Sequence, residues 1–221
     1  DIMVKIFGEE ILSLKYYWFK RFKLRNINLL ISRTGWSSEF GYEIFLLNSN
    51  DGDEVYETLM QEGKDLGLHP GHTSTIRRIE GGMLSYHSDM DINTNPFELG
   101  LDKFIDLDSS FNFIGKDALI NIKESGIKRK QVGLIIKCKQ LNGPNTKKWD
   151  IFDGNEKIGH VTSAVYSPRL KQNIALAMVN ISYAEINTHL QININNNLVD
   201  AVVTKKPFFD PNKLITKEKT N

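Results

Sequence analysis

The sequence predicts an α+β fold, because its hydrophobic periodicity changes once along the 221 residues. Before about residue 125, apolar residues recur mostly at helical spacing, with two short strand-like runs between them. After Gly126, short apolar runs of strand length follow one another and are separated by turn residues. We therefore expect a mixed region over residues 1–125 and an antiparallel sandwich or barrel over residues 126–209.

The first region should contain four helices and two strands. Asn50-Asp51-Gly52-Asp53 is a start signal for an amphipathic helix, and Ser125-Gly126 is a stop signal for a later one. The sequence 69–72 contains Pro and Gly and should break the chain, after which Thr73 or Ser74 can cap the next helix. Strands are expected at 27–32 and 42–47. Helices are expected at 2–11, from 50 to an end between 63 and 67, at 75–85 and at 116–124.

The second region should contain six strands. The sequences Asp153-Gly154-Asn155 and Asn195-Asn196-Asn197 have the composition of hairpin turns. The tail from Asp210 is rich in Lys and polar residues, and we expect residues 210–221 to form a flexible tail. The strands are expected at 131–137, 149–152, 157–162, 174–179, 190–194 and 199–204.

Composition excludes several classes of function. The 28 basic and 27 acidic residues give a net charge of +1, so nothing draws the whole chain to nucleic acid or to an anionic membrane. The longest apolar stretches, such as 132–136, are far shorter than the roughly 20 residues of a membrane helix. Cys138 is the only cysteine, which excludes an intrachain disulfide, and the five histidines indicate no metal site. We expect a cytoplasmic protein without nucleic-acid or membrane partners.

The most informative motif is the sequence RTGWSSEFGYEIF at residues 33–45. It joins two apolar strands through a Gly-containing turn and places a Trp close to a carboxylate. Gly35 and Gly41 are expected to adopt backbone conformations that a Cβ would oppose, so that the turn can close against a ligand. Taken alone, the motif also fits an ordinary hairpin with one buried Trp.

This motif resembles the RTGYTGE-G-EI pattern of the folate-dependent aminomethyltransferase family, which includes the glycine cleavage T protein. Four further sequences resemble family patterns and follow in the family's order over residues 1–209. They are IRRIEGG at 76–82, NPFELGL at 95–101, FIGKDAL at 113–119 and IGHVTSAVYSP at 158–168.

The resemblance implies a folate-binding domain over residues 1–125 followed by a C-terminal β-barrel domain over 126–209. Trp36 stands where glycine-cleavage enzymes usually have Tyr, which is more similar to the dimethylsulfoniopropionate demethylase branch. The implied activity is methyl transfer from dimethylsulfoniopropionate, or a similar cationic donor, to tetrahydrofolate. The alternatives are aminomethyl transfer from a lipoyl carrier protein, demethylation of a methylated glycine, and a folate-binding module without turnover.

The resemblance also implies roles for particular residues. Glu43 corresponds to the family Glu that accepts two parallel hydrogen bonds from a pterin, and Arg78 to a residue that contacts folate. Tyr86 is a further candidate for the folate cavity.

Trp36 and Tyr42 are candidates for the substrate cavity. The Trp36 ring can attract a sulfonium or ammonium donor. Phe45 also belongs to this set, although the demethylase branch is expected to have Tyr there.

The beginning of the chain resembles the interior of a family helix that follows a long N-terminal half. We therefore expect the 221 residues to be a fragment. In the resemblance, that half contributes the Asp at the reacting centre, so no catalytic residue is named here.

Overall fold

The computed structural model describes residues 1–217, which form two compact units. The first unit contains Asp1–Ser74 together with the chain from Asn212 onward, and the second contains Thr75–Pro211. This division follows packing, whereas the expected boundary near residue 125 follows the family pattern and stays a prediction.

The first unit is built on a three-stranded antiparallel sheet. Its central strand matches the predicted range 27–32, and the predicted helix at 2–11 is shorter, because a 3-10 helix over Glu9–Ser13 follows Gly8. The sheet has the order β1-β2-β3, with β1 at Phe19–Leu24, β2 at Ile27–Ser32 and β3 at Glu43–Leu46. The helices of this unit are α1 at Ile2–Phe7, α2 at Gly52–Gly63 and α6 at Leu214–Lys217.

Strand β1 was not predicted from the sequence. Only Phe22 and Leu24 of this strand are buried, and the four other side chains are exposed. Three of those are Lys or Arg, so the strand lacks the apolar run that predicts a buried strand. The link to β2 is short, with Leu24 paired to Ile27, and Arg25 has φ 53°.

The second unit is a closed antiparallel barrel, and the α+β class predicted from the sequence is confirmed. Closure results from β9, which pairs with both β8 and β4 in the order β4-β7-β6-β5-β8-β9. All six predicted strands are present, most of them longer than expected. They are β4 at Arg129–Ile136, β5 at Trp149–Asp153, β6 at Glu156–Ser167, β7 at Gln172–Asn180, β8 at His189–Ile194 and β9 at Asn197–Thr204.

Turn chemistry explains two of the barrel hairpins. Asn195 and Asn196 both have positive φ, as a two-residue type I′ turn requires, and Ile194 pairs with Asn197 across it. In the turn between β5 and β6, Gly154 has φ 58°. The predicted turn residues therefore fix the register of both hairpins.

The barrel is covered on its outer side by a short helix. Strand β7 is buried from Asn173 to Val179 without alternation, because one of its faces points into the barrel and the other is covered. Ile79 of α3, the helix over Thr75–Glu80, packs with Ile174 and Leu176 on this outer face. The two other helices are α4 at Pro96–Leu99 and α5 at Lys116–Ser125. No helix among residues 1–217 has the length and apolar character needed to cross a membrane.

Helix α3 ends five residues earlier than predicted. Gly82 has φ 64°, its N–H donates to the Ile79 carbonyl and the Met83 N–H donates to the Arg78 carbonyl. This pair of bonds is a Schellman motif, for which Gly is the favoured residue. The expectation that Gly81 and Gly82 lie inside a helix is therefore wrong.

Part of the expected flexible tail has defined structure. Residues 214–217 form a helical turn, and Thr216 is buried against the first unit. Its carbonyl accepts a hydrogen bond from Arg33 Nη2 at 2.9 Å, which gives the polar segment a specific partner. The rest of the expected tail, residues 218–221, lies outside the described residues.

Candidate functional site

The motif at residues 33–45 forms a ten-residue loop between β2 and β3, not a tight turn. The expectation that Gly35 and Gly41 adopt backbone conformations that a Cβ would oppose is wrong. Neither Gly35 nor Gly41 has positive φ, and a Cβ added at either would meet no atom within 4 Å. The left-handed residue of the loop is Ser38, with φ 58°.

Arg33 contacts two other residues of this loop and fixes its conformation. Its side chain is buried, Nη1 donates to the Gly41 carbonyl at 3.2 Å, and the guanidinium lies 3.7 Å from the centre of the Phe40 ring. Burial lowers the pKa of Arg33 and raises that of Tyr42, whose ring lies 5.3 Å from the guanidinium. The sequence analysis assigned no role to Arg33, because nothing in a single sequence distinguishes a buried Arg from an exposed one.

Glu43 is exposed at the start of β3, and its carboxylate is held by the hydroxyl group of Thr34. Thr34 Oγ1 donates to Glu43 Oε2, so Ser32 must donate to Thr34 across their 2.5 Å contact. No hydrogen bond to Oε1 is present among the described residues. One carboxylate oxygen is thus oriented by the protein, and the other can accept a bond from a ligand.

The predicted substrate-binding residues share the first unit with Glu43 but differ in exposure. Side chains alternate along β3, since Phe45 lies on the face of Glu43 while Tyr42 and Ile44 pack against the core. Phe45 is 48% exposed, and Trp36 in the loop is 39% exposed. Trp36 is therefore not the buried Trp of an ordinary hairpin.

Arg78 lies in the second unit, where its side chain is buried in a polar network. Nη1 donates to Asp89 Oδ2 at 2.7 Å, and Nη2 donates to Ser163 Oγ at 2.8 Å. Asp89 Oδ1 also accepts bonds from Thr162 and Ser163, at 2.6 and 2.7 Å. The network connects α3 to β6 and to the segment that contains Asp89.

Tyr86, the third residue predicted to bind folate, also belongs to the second unit. Its side chain is 53% exposed, and its ring packs edge-on against His87, with 4.4 Å between ring centres. The predicted residues therefore fall into two sets. Trp36, Tyr42, Glu43 and Phe45 lie in the first unit, and Arg78 and Tyr86 in the second.

Two other motif carboxylates of the second unit, those of Glu80 and Glu98, are buried and paired, whereas Asp117 is exposed. Glu80 is 1% exposed, and its two oxygens bind Ser167 and Arg77 at 2.5 and 3.1 Å. Glu98 forms a capping box with Asn95 and accepts a 2.8 Å bond from Arg129 Nε. These contacts fasten α3 and α4 to the barrel strands.

Lys206 is a half-buried cation of this unit. Its ammonium donates to Gln131 Oε1 and, at 3.4 Å, to the Leu99 carbonyl. Burial lowers its pKa to about 8, although Asp89 acts in the opposite direction. Gln131 is 2% exposed, and its Nε2 is the one buried side-chain polar atom without a partner in the described part of the chain.

Sequence reasoning missed Asp89, Ser163, Thr34 and Lys206. Asp89 lies eleven residues after Arg78 and beyond the end of α3, and Ser163 is remote in sequence. Thr34 and Ser163 do lie inside two of the recognised motifs, and this was the only available signal.

Comparisons with known proteins agree on one family. Residues 1–109 match the GCVT N-terminal domain, and residues 129–210 match the glycine cleavage T-protein C-terminal barrel domain. An aminomethyltransferase of Caldanaerobacter subterraneus is 36% identical over 216 residues, which cover 96% of this chain and 56% of the relative. One of Halothermothrix orenii is 37% identical over 210 residues, which cover 94% of this chain and 57% of the relative.

A solved structure supports the same fold. The glycine cleavage system aminomethyltransferase T of Bartonella henselae has a TM-score of 0.73 and 21% identity. The match covers 90% of this chain and 54% of that one. The chain thus spans a little over half the length of the relatives that it matches.

Proposed function

Because the chain belongs to the glycine cleavage T-protein family, we propose that it forms the folate-aligning part of a folate-dependent aminomethyltransferase. In this reaction an aminomethyl group is carried on the thiol of a lipoyl carrier protein. Its carbon becomes a methylene bridge between two nitrogens of tetrahydrofolate, while the C–N and C–S bonds break and the two folate N–H protons leave with ammonia and the free thiol. The similarity to proteins named aminomethyltransferase supports this reaction over dimethylsulfoniopropionate demethylation. The proposal places the reaction in the cytoplasm, with tetrahydrofolate as acceptor and a carrier protein as donor.

The observation that carries the proposal is the environment of Glu43. A pterin presents a ring N–H and an amino group on one edge, and a fixed carboxylate matches such a pair of donors. Thr34 orients this carboxylate from one side and Glu43 is exposed on the other. A strand carboxylate that only faces water would not need this hydrogen bond from Thr34.

We propose that the other predicted residues have the roles expected from the resemblance, with the exception of Arg78. Tyr86 and the substrate residues Trp36, Tyr42 and Phe45 present rings that a ligand can contact. Arg78 is so extensively bonded that we expect it to act mainly by fixing Asp89. No described side chain is assigned to proton transfer, so we propose that this chain contributes by aligning the folate.

Methyl transfer from a sulfonium is a second candidate, favoured by the partly exposed Trp36. The methyl group would leave the sulfonium for N5 of tetrahydrofolate, and the sulfur would retain the bonding electron pair as a neutral thioether. Product analysis separates the two reactions. Methylenetetrahydrofolate and ammonia identify aminomethyl transfer, methyltetrahydrofolate and a thioether identify methyl transfer, and binding without product identifies the non-catalytic module.

Glu43→Gln tests the proposal directly. The amide presents a donor toward a pterin N–H, and this mismatch is expected to weaken binding by about 1–3 kcal/mol. We expect the Kd for tetrahydrofolate, measured by titration calorimetry, to rise at least about tenfold. Thermal stability should change little, because Glu43 is exposed.

Glu57→Gln is the matched control, since it makes the same change at an exposed position on α2. It should leave the Kd unchanged. An unaltered Kd for Glu43→Gln would mean that Glu43 does not hold the pterin.

A further inference from the structure

One face of the β1-β2-β3 sheet is open and carries a regular pattern of side chains. In the antiparallel register Phe19, Ser32 and Glu43 form one cross-strand row, and residues paired in this way point to the same face. The next row on that face is Arg21, Leu30 and Phe45. The opposite face packs on the core through Leu29 and Ile31.

The open face is cationic along β1. Residues 15–25 contain five Lys or Arg and no acidic residue, although the whole chain is close to neutral. Arg21 and Lys23 are exposed, and neither side chain has a hydrogen-bond or ion-pair partner within residues 1–217. Lys20, on the other face of the strand, is paired with Glu10.

The spacing of these groups follows from sheet geometry. Arg21 lies two strands and two residues from Glu43, which corresponds to about 12 Å between their Cα atoms. Lys23 is two residues further, at about 17 Å. Leu30 lies on the central strand between Arg21 and Glu43, and with Phe45 it gives this part of the face an apolar surface.

We propose that Arg21, assisted by Lys23, binds the glutamate carboxylates of a folate whose pterin head is held by Glu43. A folate is an elongated molecule with a hydrogen-bonding head, an aromatic middle and an anionic tail. The open face presents a carboxylate, then an apolar surface, then two cations, in the same order. A guanidinium suits this task because its planar donors can bind a carboxylate at two points. The inference rests on the proposed function and adds the residues that recognise the tail.

The experiment compares two ligands on the full chain, tetrahydrofolate and tetrahydropteroate, which has the same head but no glutamate. Arg21→Gln should weaken tetrahydrofolate binding about five- to tenfold and leave tetrahydropteroate binding unchanged. The loss should shrink as salt is added, since the site is exposed. Arg21→Lys should retain part of the affinity, because a cation remains.

Lys20→Gln is the control, since it removes a cation from the same strand on the opposite face and should affect neither ligand. An equal loss for both ligands with Arg21→Gln, or no loss for either, would overturn the assignment of Arg21 while leaving the role of Glu43 intact. If the unmutated chain binds neither ligand, both the proposed function and this inference fail.

Discussion

Glu43 of the first unit and three charged motif residues of the second unit lie in opposite environments. In the first unit, Glu43 is exposed, with one carboxylate oxygen turned toward solvent. In the second unit, Arg78, Glu80 and Glu98 are buried and bonded to other protein groups. Burial therefore separates motif residues that can meet a ligand from residues that hold the fold together, and the motif alone does not.

This difference has a physical basis. A buried charge must find its partners within the protein, because desolvation costs several kcal/mol per ion. The Arg78 network meets this requirement with four side chains, whereas Glu43 needs only Thr34 because water serves its other oxygen. Substitution of the buried Arg78 should therefore alter stability, and substitution of the exposed Glu43 should alter binding.

Arg78→Met should have the largest effect on stability. It leaves Asp89 as a buried charge without its cation, which typically costs 3–5 kcal/mol. We expect the free energy of unfolding, measured by urea denaturation, to fall by about this amount.

Lys157→Met is the control for this prediction, since it breaks an exposed pair with Asp150 and should cost less than about 1 kcal/mol. Similar losses for the two variants would remove the distinction between buried and exposed ion pairs. Retained stability with lost folate binding would instead make Arg78 a ligand residue.

Lys206 predicts how stability depends on pH. Its pKa is about 8 in the folded chain and 10.5 for an ordinary exposed lysine, so the unfolded chain binds more protons between these values. This group should therefore make stability rise with pH across that window, by up to about 3 kcal/mol. The full penalty of burying the charge remains below pH 8.

Lys206→Met should reduce this rise, as measured by denaturation at pH 7, 8, 9 and 10. Lys157→Met again serves as the control, since an exposed ammonium should leave the slope unchanged. A wild-type slope that persists in Lys206→Met would show that another group is responsible.

Trp36→Leu should have the smallest effect. Removal of the aromatic face should weaken the binding of a cationic donor by about 0.5–2 kcal/mol while leaving the free energy of unfolding nearly unchanged. Competition by dimethylsulfoniopropionate and by its neutral thioether product, measured with both forms, provides the test. Equal losses for the two ligands would mean that Trp36 supplies only packing, which would favour the aminomethyl donor.

The sequence predicted the barrel well because its signals are local. Each strand is an apolar run bounded by turn residues, and Asn195 and Asn196 require no tertiary information to be recognised. Strand β1 was not predicted because its exposed positions carry cations. Its pairing with β2 supplies the stability that its composition does not.

The site was predictable only in part. Resemblance names Glu43 and Trp36 as candidates, but the support from Thr34 depends on a loop whose conformation is fixed by Arg33. Resemblance also names Arg78, but its bond to Asp89 forms only in the folded chain. Long-range polar pairs of this kind leave no periodic trace in one sequence.

The pairing of β9 with β4 also bears on how the second unit folds. Residues 133 and 204 must meet before the barrel closes, and this contact encloses nearly all the intervening strands. Loop-closure entropy opposes such a remote pairing until the hairpins between have formed. Closure should therefore come late in folding, and the amides that join β4 to β9 should gain protection from hydrogen exchange after those that join β6 to β7.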